Sequence, residues 1–352
     1  MQYTHLGRTG AVVSRFCLGT ANLGPFAPAA ESLEIMSHAL DMGINFFDTA
    51  DIYGWWGGRE QPGLSEEIIG RWLAQDKSRR RQIVLAGKVY FPMSDEVNDR
   101  GLSAYHIRQA CEDSLRRMGT DRIDLYQMHH VDRGAPQPAE YEWGMAKPGV
   151  DLYRPAHRRA DTPWEEIWQA MELLVQQGKV LYVGSSNFAG WNIAQACERA
   201  AARHFLGPVS DQSLYNLNKR SVELEVIPAC REYGLGLLAY MPLDGGLLAG
   251  VLKKAAEGRR TPVYDNLGPQ MKTRVDAWES FCRDLGESPV HVATAWLLKN
   301  PVVAATILGP RSREQLADNT RALELDLDEA AMARLDEIWP GPGGQAPDAY
   351  AW

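Results

Sequence analysis

The sequence predicts an α/β fold, a closed parallel (β/α)8 TIM barrel preceded by a β-hairpin and carrying long loops at its C-terminal rim. Three observations carry this reading. Eight short apolar, β-branched or aromatic runs alternate with longer helical patterns at a spacing of roughly 30–40 residues, the repeat of a barrel with helices outside. The first strand leads into Gly19-Thr20-Ala21-Asn22-Leu23-Gly24, which lacks the glycine spacing of the phosphate turn that an open doubly wound sheet places there. The length of 352 residues fits one large barrel.

Each element has its own local support. Residues 1–13, with Tyr3, Gly7-Arg8-Thr9-Gly10 and Val13, read as a small hairpin that plugs the bottom of the barrel. Strands are expected over 14–20, 45–49, 83–89, 123–129, 180–185, 209–215, 236–241 and 304–309. Helical patterns run over about 29–42, 65–75, 103–118, 163–178, 190–203, 221–233, 272–299 and 312–322. Ser103 is placed to cap the third helix, which Gly119 stops. Thr162-Pro163-Trp164-Glu165 has the spacing of a capping box, with Thr at the cap and Pro at the first helical position. Residues 131–162 and 244–271 break the rhythm. Both follow strand C-termini, the end at which barrel enzymes build their sites, so both are expected to be functional loops. The chain divides into one barrel domain, 1–340, and a Gly/Pro-rich tail, 341–352, whose terminal Tyr350-Ala351-Trp352 is either loose or docked by its aromatics.

Composition removes several function classes. The formal net charge of −8 argues against a nucleic-acid partner, whose phosphates favour a basic face. The run Arg79-Arg80-Arg81 is the one notable basic cluster and reads as a solvated helix end or loop. No apolar run approaches the roughly 20 residues of a membrane span. Residues 1–20 mix Gln2, His5, Arg8 and Arg15 with apolar residues, unlike a signal peptide. Five cysteines, at 17, 111, 197, 230 and 282, show no short spacing and read as reduced thiols of a cytoplasmic protein.

The chemistry concentrates at three consecutive strand ends. Asp48 and Tyr53 lie at and just past the second strand, Lys88 near the end of the third, and His129-His130 at the end of the fourth. A barrel brings such ends to one rim. A free phenol titrates near about 10; a neighbouring ammonium is expected to lower that value, and a carboxylate keeps the ammonium charged and aimed. The group then forms a general acid beside a developing alkoxide, with a histidine orienting the carbonyl. A metal held by the histidine pair and Asp132 is disfavoured, because adjacent strand residues point to opposite faces and no HExxH or Cys/His cluster accompanies them. No metal is expected.

With these residues in hand, the chain resembles the aldo-keto reductase family over nearly its whole length. The matching segments are Asp48-Thr49-Ala50-Asp51-Ile52-Tyr53-Gly54, Ser65-Glu66-Glu67-Ile68-Ile69-Gly70, Leu85-Ala86-Gly87-Lys88, Ser114-Leu115-Arg116-Arg117-Met118-Gly119 with Ile123-Asp124-Leu125-Tyr126-Gln127, Gly184-Ser185-Ser186-Asn187-Phe188 and Ala239-Tyr240-Met241-Pro242-Leu243. The resemblance implies NADPH-dependent reduction of a ketone or aldehyde by an Asp48, Tyr53, Lys88 and His129 tetrad. It assigns Ser186, Asn187 and Gln212 to the nicotinamide carboxamide and Tyr240 to stacking on its ring. Thr20, Pro242, Leu243 and Gly309 also fall on cofactor positions. Arg311 and Ser312 match the 2′-phosphate contacts, with Gln315 and Asn319 near the adenine, and NADP is favoured over NAD. Met241 stands where the family usually has serine.

A narrower resemblance joins Val97-Asn98-Asp99-Arg100-Gly101-Leu102-Ser103-Ala104 and His129-His130-Val131-Asp132-Arg133 to the bacterial deoxysugar-pathway reductases, which act on nucleotide-linked keto-deoxyhexoses. The 131–162 loop departs from them. Trp55, Trp56, His130 and Trp143 are candidates for the substrate pocket, the tryptophans either lining it or packing under the loops. The expected partner is a small-molecule carbonyl compound, with no nucleic acid and no membrane, and a homo-oligomer is possible. The rival reading is a nucleotide-binding regulatory subunit of the same fold, like those of potassium channels.

Overall fold

The computed structural model describes residues 1–55, 61–132, 141–142, 145–146, 162–258 and 262–343. The chain opens with β1 (Tyr3–His5) and β2 (Val12–Ser14), which pair antiparallel as the expected hairpin. There follow β3 (Phe16–Gly19), α1 (Ala29–Asp41), β4 (Phe46–Asp48), α2 (Leu64–Gln75), β5 (Val84–Val89), α3 (Ala104–Met118) and β6 (Ile123–Met128). After a two-stranded ribbon, β7 (Tyr141–Glu142) and β8 (Met145–Ala146), come α4 (Trp164–Gln176), β9 (Val180–Ser186), α5 (Gly190–Ala201), β10 (Pro208–Leu214), α6 (Val226–Tyr233) and β11 (Gly236–Tyr240). The last part holds α7 (Val251–Ala256), α8 (Pro262–Asp265), α9 (Pro269–Leu285), α10 (Pro289–Lys299), β12 (Val303–Leu308), α11 (Arg313–Asp318) and α12 (Glu329–Ile338).

Eight strands close in the order β3-β4-β5-β6-β9-β10-β11-β12, every neighbouring pair parallel. The predicted barrel is present. Strand alternation splits its apolar residues into two cores. Inward residues such as Cys17, Phe46, Ala86, Leu125 and Leu238 fill the barrel. Outward ones meet the helices: Phe47 stacks on Trp72 of α2 with ring centroids 5.3 Å apart, both fully buried. Full burial of one such side chain stabilises by about 1.5–3 kcal/mol.

The same alternation places the site. Two residues beyond an inward apolar side chain, and one layer nearer the C-terminal rim, stand Asp48 after Phe46, Lys88 after Ala86, Gln127 after Leu125 and Tyr240 after Leu238. At the opposite end, Leu6 and Val13 of the hairpin join the interior core. Gly7 turns there with φ 54°, where a Cβ would stand 2.2 Å from the Val209 carbonyl oxygen. The hairpin therefore closes the bottom and leaves the rim as the open end.

Several boundaries differ from the sequence reading. Ser103 caps α3 and Gly119 takes its C-cap, as expected. The capping box at Thr162 does not form: α4 starts at Trp164 with Pro163 at the cap position, and the Thr162 hydroxyl donates instead to Asp132 Oδ2 at 2.7 Å. The 272–299 pattern is two helices, broken at Gly286 and restarted by the Ser288 cap with Pro289 at its first position. The 221–233 and 312–322 patterns each divide into an α-helix and a 3-10 turn. The 244–271 segment is no plain loop, since it holds α7, α8 and the start of α9. Arg80 is not solvated either: it is buried, with Nη1 2.8 Å from Asp124 Oδ2. Most of the 131–162 loop and the tail beyond 343 lie outside the described residues. No described helix is long and apolar enough to cross a membrane.

Candidate active site

Lys88 organises the rim. Its side chain has no exposed surface, so every N–H of the ammonium must be matched inside the protein. Nζ donates to Asp48 Oδ2 at 2.5 Å, to the Thr49 carbonyl at 2.9 Å and to the Tyr53 phenol oxygen at 2.9 Å. Burial lowers the pKa of the ammonium, but Asp48 and Tyr53 more than offset it and raise it to about 12. The carboxylate and the phenol thus meet on one fixed cation.

Asp48 is held from its other oxygen. Gln127 Nε2 and Gln212 Nε2 donate to Asp48 Oδ1 at 2.9 and 2.8 Å, and Gln212 Nε2 also reaches Gln127 Oε1 at 3.2 Å. Gln127 pairs laterally with Lys88 in the β5–β6 register. The sequence reading missed it. The signal was available in its place one alternation beyond Leu125, inward and at the same height as Lys88. Gln212 lies within β10, as the expected strand over 209–215 places it, with its amide nitrogen turned to Asp48.

Tyr53 stands on the turn after β4, where its backbone N–H donates to the Ala50 carbonyl at 3.1 Å and Ser65 N–H donates to its own carbonyl at 3.3 Å. Burial raises the phenol above its ordinary value; Lys88 pulls it back and Asp48 pushes it up again. The expected net lowering does not occur, because desolvation of a phenolate outweighs the ammonium. A phenol of this kind keeps its proton through the physiological range and can give it to a base formed beside it.

His129 follows β6 directly and is buried. Burial, with the charges of Lys88 and His130, holds its imidazole well below the ordinary range, so the ring is neutral. Its Nδ1 has no hydrogen-bond partner among the described residues. The two histidines do not diverge as strand alternation suggested. The strand ends at Met128, and their rings stack with centroids 5.9 Å apart, both edge-on to Phe91 at 4.9 and 5.2 Å. Among the described residues no group of three His, Cys, Asp or Glu side chains could hold a metal ion. Trp55 is exposed on the turn beyond Tyr53; Trp56 and Trp143 lie outside the described residues.

Across the rim, Ser186, Asn187 and Tyr240 form a hydrogen-bonded chain. The Tyr240 hydroxyl donates to Asn187 Oδ1 at 2.8 Å, Asn187 Nδ2 donates to Ser186 Oγ at 3.0 Å and to the His129 carbonyl at 3.1 Å, and Ser186 Oγ donates to the Gln212 carbonyl at 2.8 Å. Beside it lies a cavity of about 1440 Å³ lined by Pro242, Leu243, Gly309, Arg311, Gln315 and Asn319 among others. Ser312 caps α11 through the Gln315 N–H at 3.3 Å. Thr20 is fully buried, its hydroxyl has no partner among the described residues, and its carbonyl accepts from Ser65 Oγ at 3.1 Å.

Behind the Tyr53 turn the sequence reading missed a buried charge cluster. Asp51 and Glu66 are both fully buried, and Arg117 of α3 donates from Nε to Glu66 Oε2 at 2.7 Å. Burial raises both carboxyls; Glu66 adds to the rise at Asp51, and Arg117 pulls both back.

A family model described as the aldo/keto reductase family matches residues 15–340. A protein of Bacillus subtilis (strain 168) named "Uncharacterized oxidoreductase YrpG" is 47% identical over 356 residues, covering 100% of each chain. "Protein tas" of Escherichia coli (strain K12) is 30% identical, covering 96% of this chain and 97% of its own. A Schizosaccharomyces pombe protein named "Putative voltage-gated potassium channel subunit beta" is 30% identical over 96% of this chain and 92% of its own.

Proposed function

The chain belongs to the aldo/keto reductase family, and from that premise we infer that it is an NADPH-dependent carbonyl reductase with Tyr53 as proton donor. The observation that carries the reading is the Lys88 ammonium bonded at once to Asp48 and Tyr53. NADPH, when bound, supplies the hydride to the carbonyl carbon.

Everything else falls to side chains of this chain. Tyr53 gives its phenolic proton to the carbonyl oxygen as negative charge builds there, and Lys88 stabilises the phenolate left behind. Asp48, fixed by Gln127 and Gln212, keeps Lys88 charged and aimed. His129, neutral and set between Tyr53 and Phe91, orients the carbonyl oxygen from its imidazole. Ser186, Asn187 and Gln212 hold the carboxamide, and Tyr240 stacks on the nicotinamide. Thr20, Pro242, Leu243 and Gly309 border the nucleotide, Gln315 and Asn319 take the adenine, and Arg311 with Ser312 takes the 2′-phosphate. The residues fit this group on one point in particular: Arg311 lines the cavity with no carboxylate paired to its guanidinium among the described residues.

The resemblance to deoxysugar-pathway reductases makes keto sugars the first substrates to test, with His130 and Trp55 at the pocket. All five cysteines are free and buried, which suits a cytoplasmic enzyme. A second reading, a nucleotide-binding regulatory subunit, draws on the likeness to the Schizosaccharomyces pombe protein. Steady-state oxidation of NADPH across keto sugars, simple aldehydes and steroid-like ketones separates them. Turnover with any class supports the reductase; tight NADPH binding with no turnover across the panel favours the regulatory subunit.

A further inference from the structure

We propose that Phe26 is a specificity-determining residue for the cofactor, holding the Arg311 guanidinium in place to take the 2′-phosphate that distinguishes NADPH from NADH. The inference rests on the NADPH reading above. Arg311 Cζ lies 4.8 Å from the centroid of the Phe26 ring. Arg311 lines the cavity beside Gln315 and Asn319, and its backbone N–H donates to Gln315 Oε1 at 2.9 Å. Two residues on, Arg313 is committed elsewhere, with Nη1 3.5 Å from Glu34 Oε2. The two arginines of this segment are therefore not equivalent.

The nature of the partner matters. A carboxylate would fix Arg311 equally well, but it would occupy the guanidinium donors and repel an incoming phosphate. An aromatic face attracts the cation through its quadrupole and leaves the N–H fork at the guanidinium edge open for a bidentate contact. Phe26 is 42% exposed, so the ring is not there to complete the core.

The turn that carries Phe26 is itself fixed. The Asn22 carbonyl accepts from Phe26 N–H and Ala27 N–H, each at 3.0 Å, and Gly24 N–H donates to the Ala27 carbonyl at 2.8 Å. Leu23 and Ala27 are fully buried anchors. Gly24 has φ 95°, and a Cβ there would stand 2.7 Å from Leu64 Cδ2. Asn22 Nδ2 then donates to the Gly309 carbonyl at 2.7 Å, tying this turn to the segment that carries Arg311. Ring and guanidinium are held from one hinge point, so less side-chain freedom is lost when the phosphate binds.

The test is calorimetric titration with adenosine 2′,5′-bisphosphate and with 5′-AMP, which reads binding without turnover. Wild type is expected to prefer the bisphosphate, and Arg311→Gln to lose that preference by about ten- to a hundredfold. Phe26→Leu should weaken bisphosphate binding by about three- to fivefold and leave 5′-AMP unchanged. Phe26→Tyr should restore the preference, and Phe26→Leu should add nothing in the Arg311→Gln background. A Phe26→Leu protein with unaltered preference, or one that loses both ligands equally, overturns the role of Phe26 while leaving the cofactor reading standing. A wild type without preference, or an Arg311→Gln protein that keeps it, overturns the cofactor reading of this cavity and the proposal with it.

Discussion

Lys88 Nζ donates to the Tyr53 phenol oxygen across 2.9 Å, and the direction of that bond sets the pH behaviour of the site. The phenol oxygen is the acceptor, so the proton available for transfer is the one Tyr53 carries. Carbonyl reduction needs the protonated phenol, whose pKa is raised from 10.0. The rate should therefore hold through neutrality and fall only above pH 10. His129 stays neutral there, its pKa held well below 6.5, and should add no limb near neutrality. Tyr53→Phe should cut turnover by about 10²- to 10⁴-fold and leave NADPH affinity, read by fluorescence titration, within about twofold of wild type. Wild-type turnover in that variant would sink the proton-donor assignment.

Asp48→Asn tests the counter-charge. The substitution leaves the buried Lys88 ammonium without its carboxylate, and breaking such a pair costs about 3–5 kcal/mol. The pH dependence has a definite sign. Lys88 is raised from 10.5 to about 12, so this stabilisation is complete below pH 10.5 and disappears as pH climbs through 12. The gap corresponds to about 2 kcal/mol. Urea midpoints of wild type and variant should converge over that window. A difference that persists unchanged at the alkaline end would mean that Asp48 stabilises the fold without charging Lys88.

The two glutamines divide a single task. Each gives an amide N–H to Asp48 Oδ1, and removing one leaves the other in place. Gln127→Leu should lower kcat by about tenfold and stability by about 1–2 kcal/mol, with NADPH affinity unchanged. Gln212→Leu should lower kcat similarly and also weaken NADPH, because its proposed contact to the carboxamide is lost as well. Titration calorimetry beside steady-state kinetics separates the two effects. Equal losses of NADPH affinity in both variants would count against the division.

Asp48 and Lys88 were legible because strand alternation needs only the neighbouring apolar residues to say which way a side chain faces, and Tyr53 because it lies just past the same strand end as Asp48. Gln127 obeys the same alternation, yet an amide in a strand carries no charge to mark it, and its role appears only with the Lys88–Gln127 register. The histidine pair misled for the converse reason: the alternation argument was carried two residues past the strand's end at Met128. The break between α9 and α10 was written in Gly286, Ser288 and Pro289, but continuous apolar periodicity on both sides masked it. Arg80 sits in a basic run that reads as solvated, and only packing against Asp124 of β6 buries it.

Arg117 gives the last prediction. Its Nε–Glu66 bond is one link between α2 and α3 behind the Asp51–Tyr53 turn, where two carboxyls share one guanidinium. Removing the cation leaves Glu66 buried and uncompensated, as well as raising Asp51 further. Arg117→Met should therefore destabilise the protein by about 3–5 kcal/mol. The cost comes from the stranded carboxylate rather than from the lost bond, so removing that charge too should recover much of it: Arg117→Met combined with Glu66→Gln should be more stable than Arg117→Met alone. Urea unfolding of the two single variants and the double variant completes the cycle. Additive losses would show that Arg117 acts by packing its stem, and that the charge pair behind the turn contributes nothing of its own.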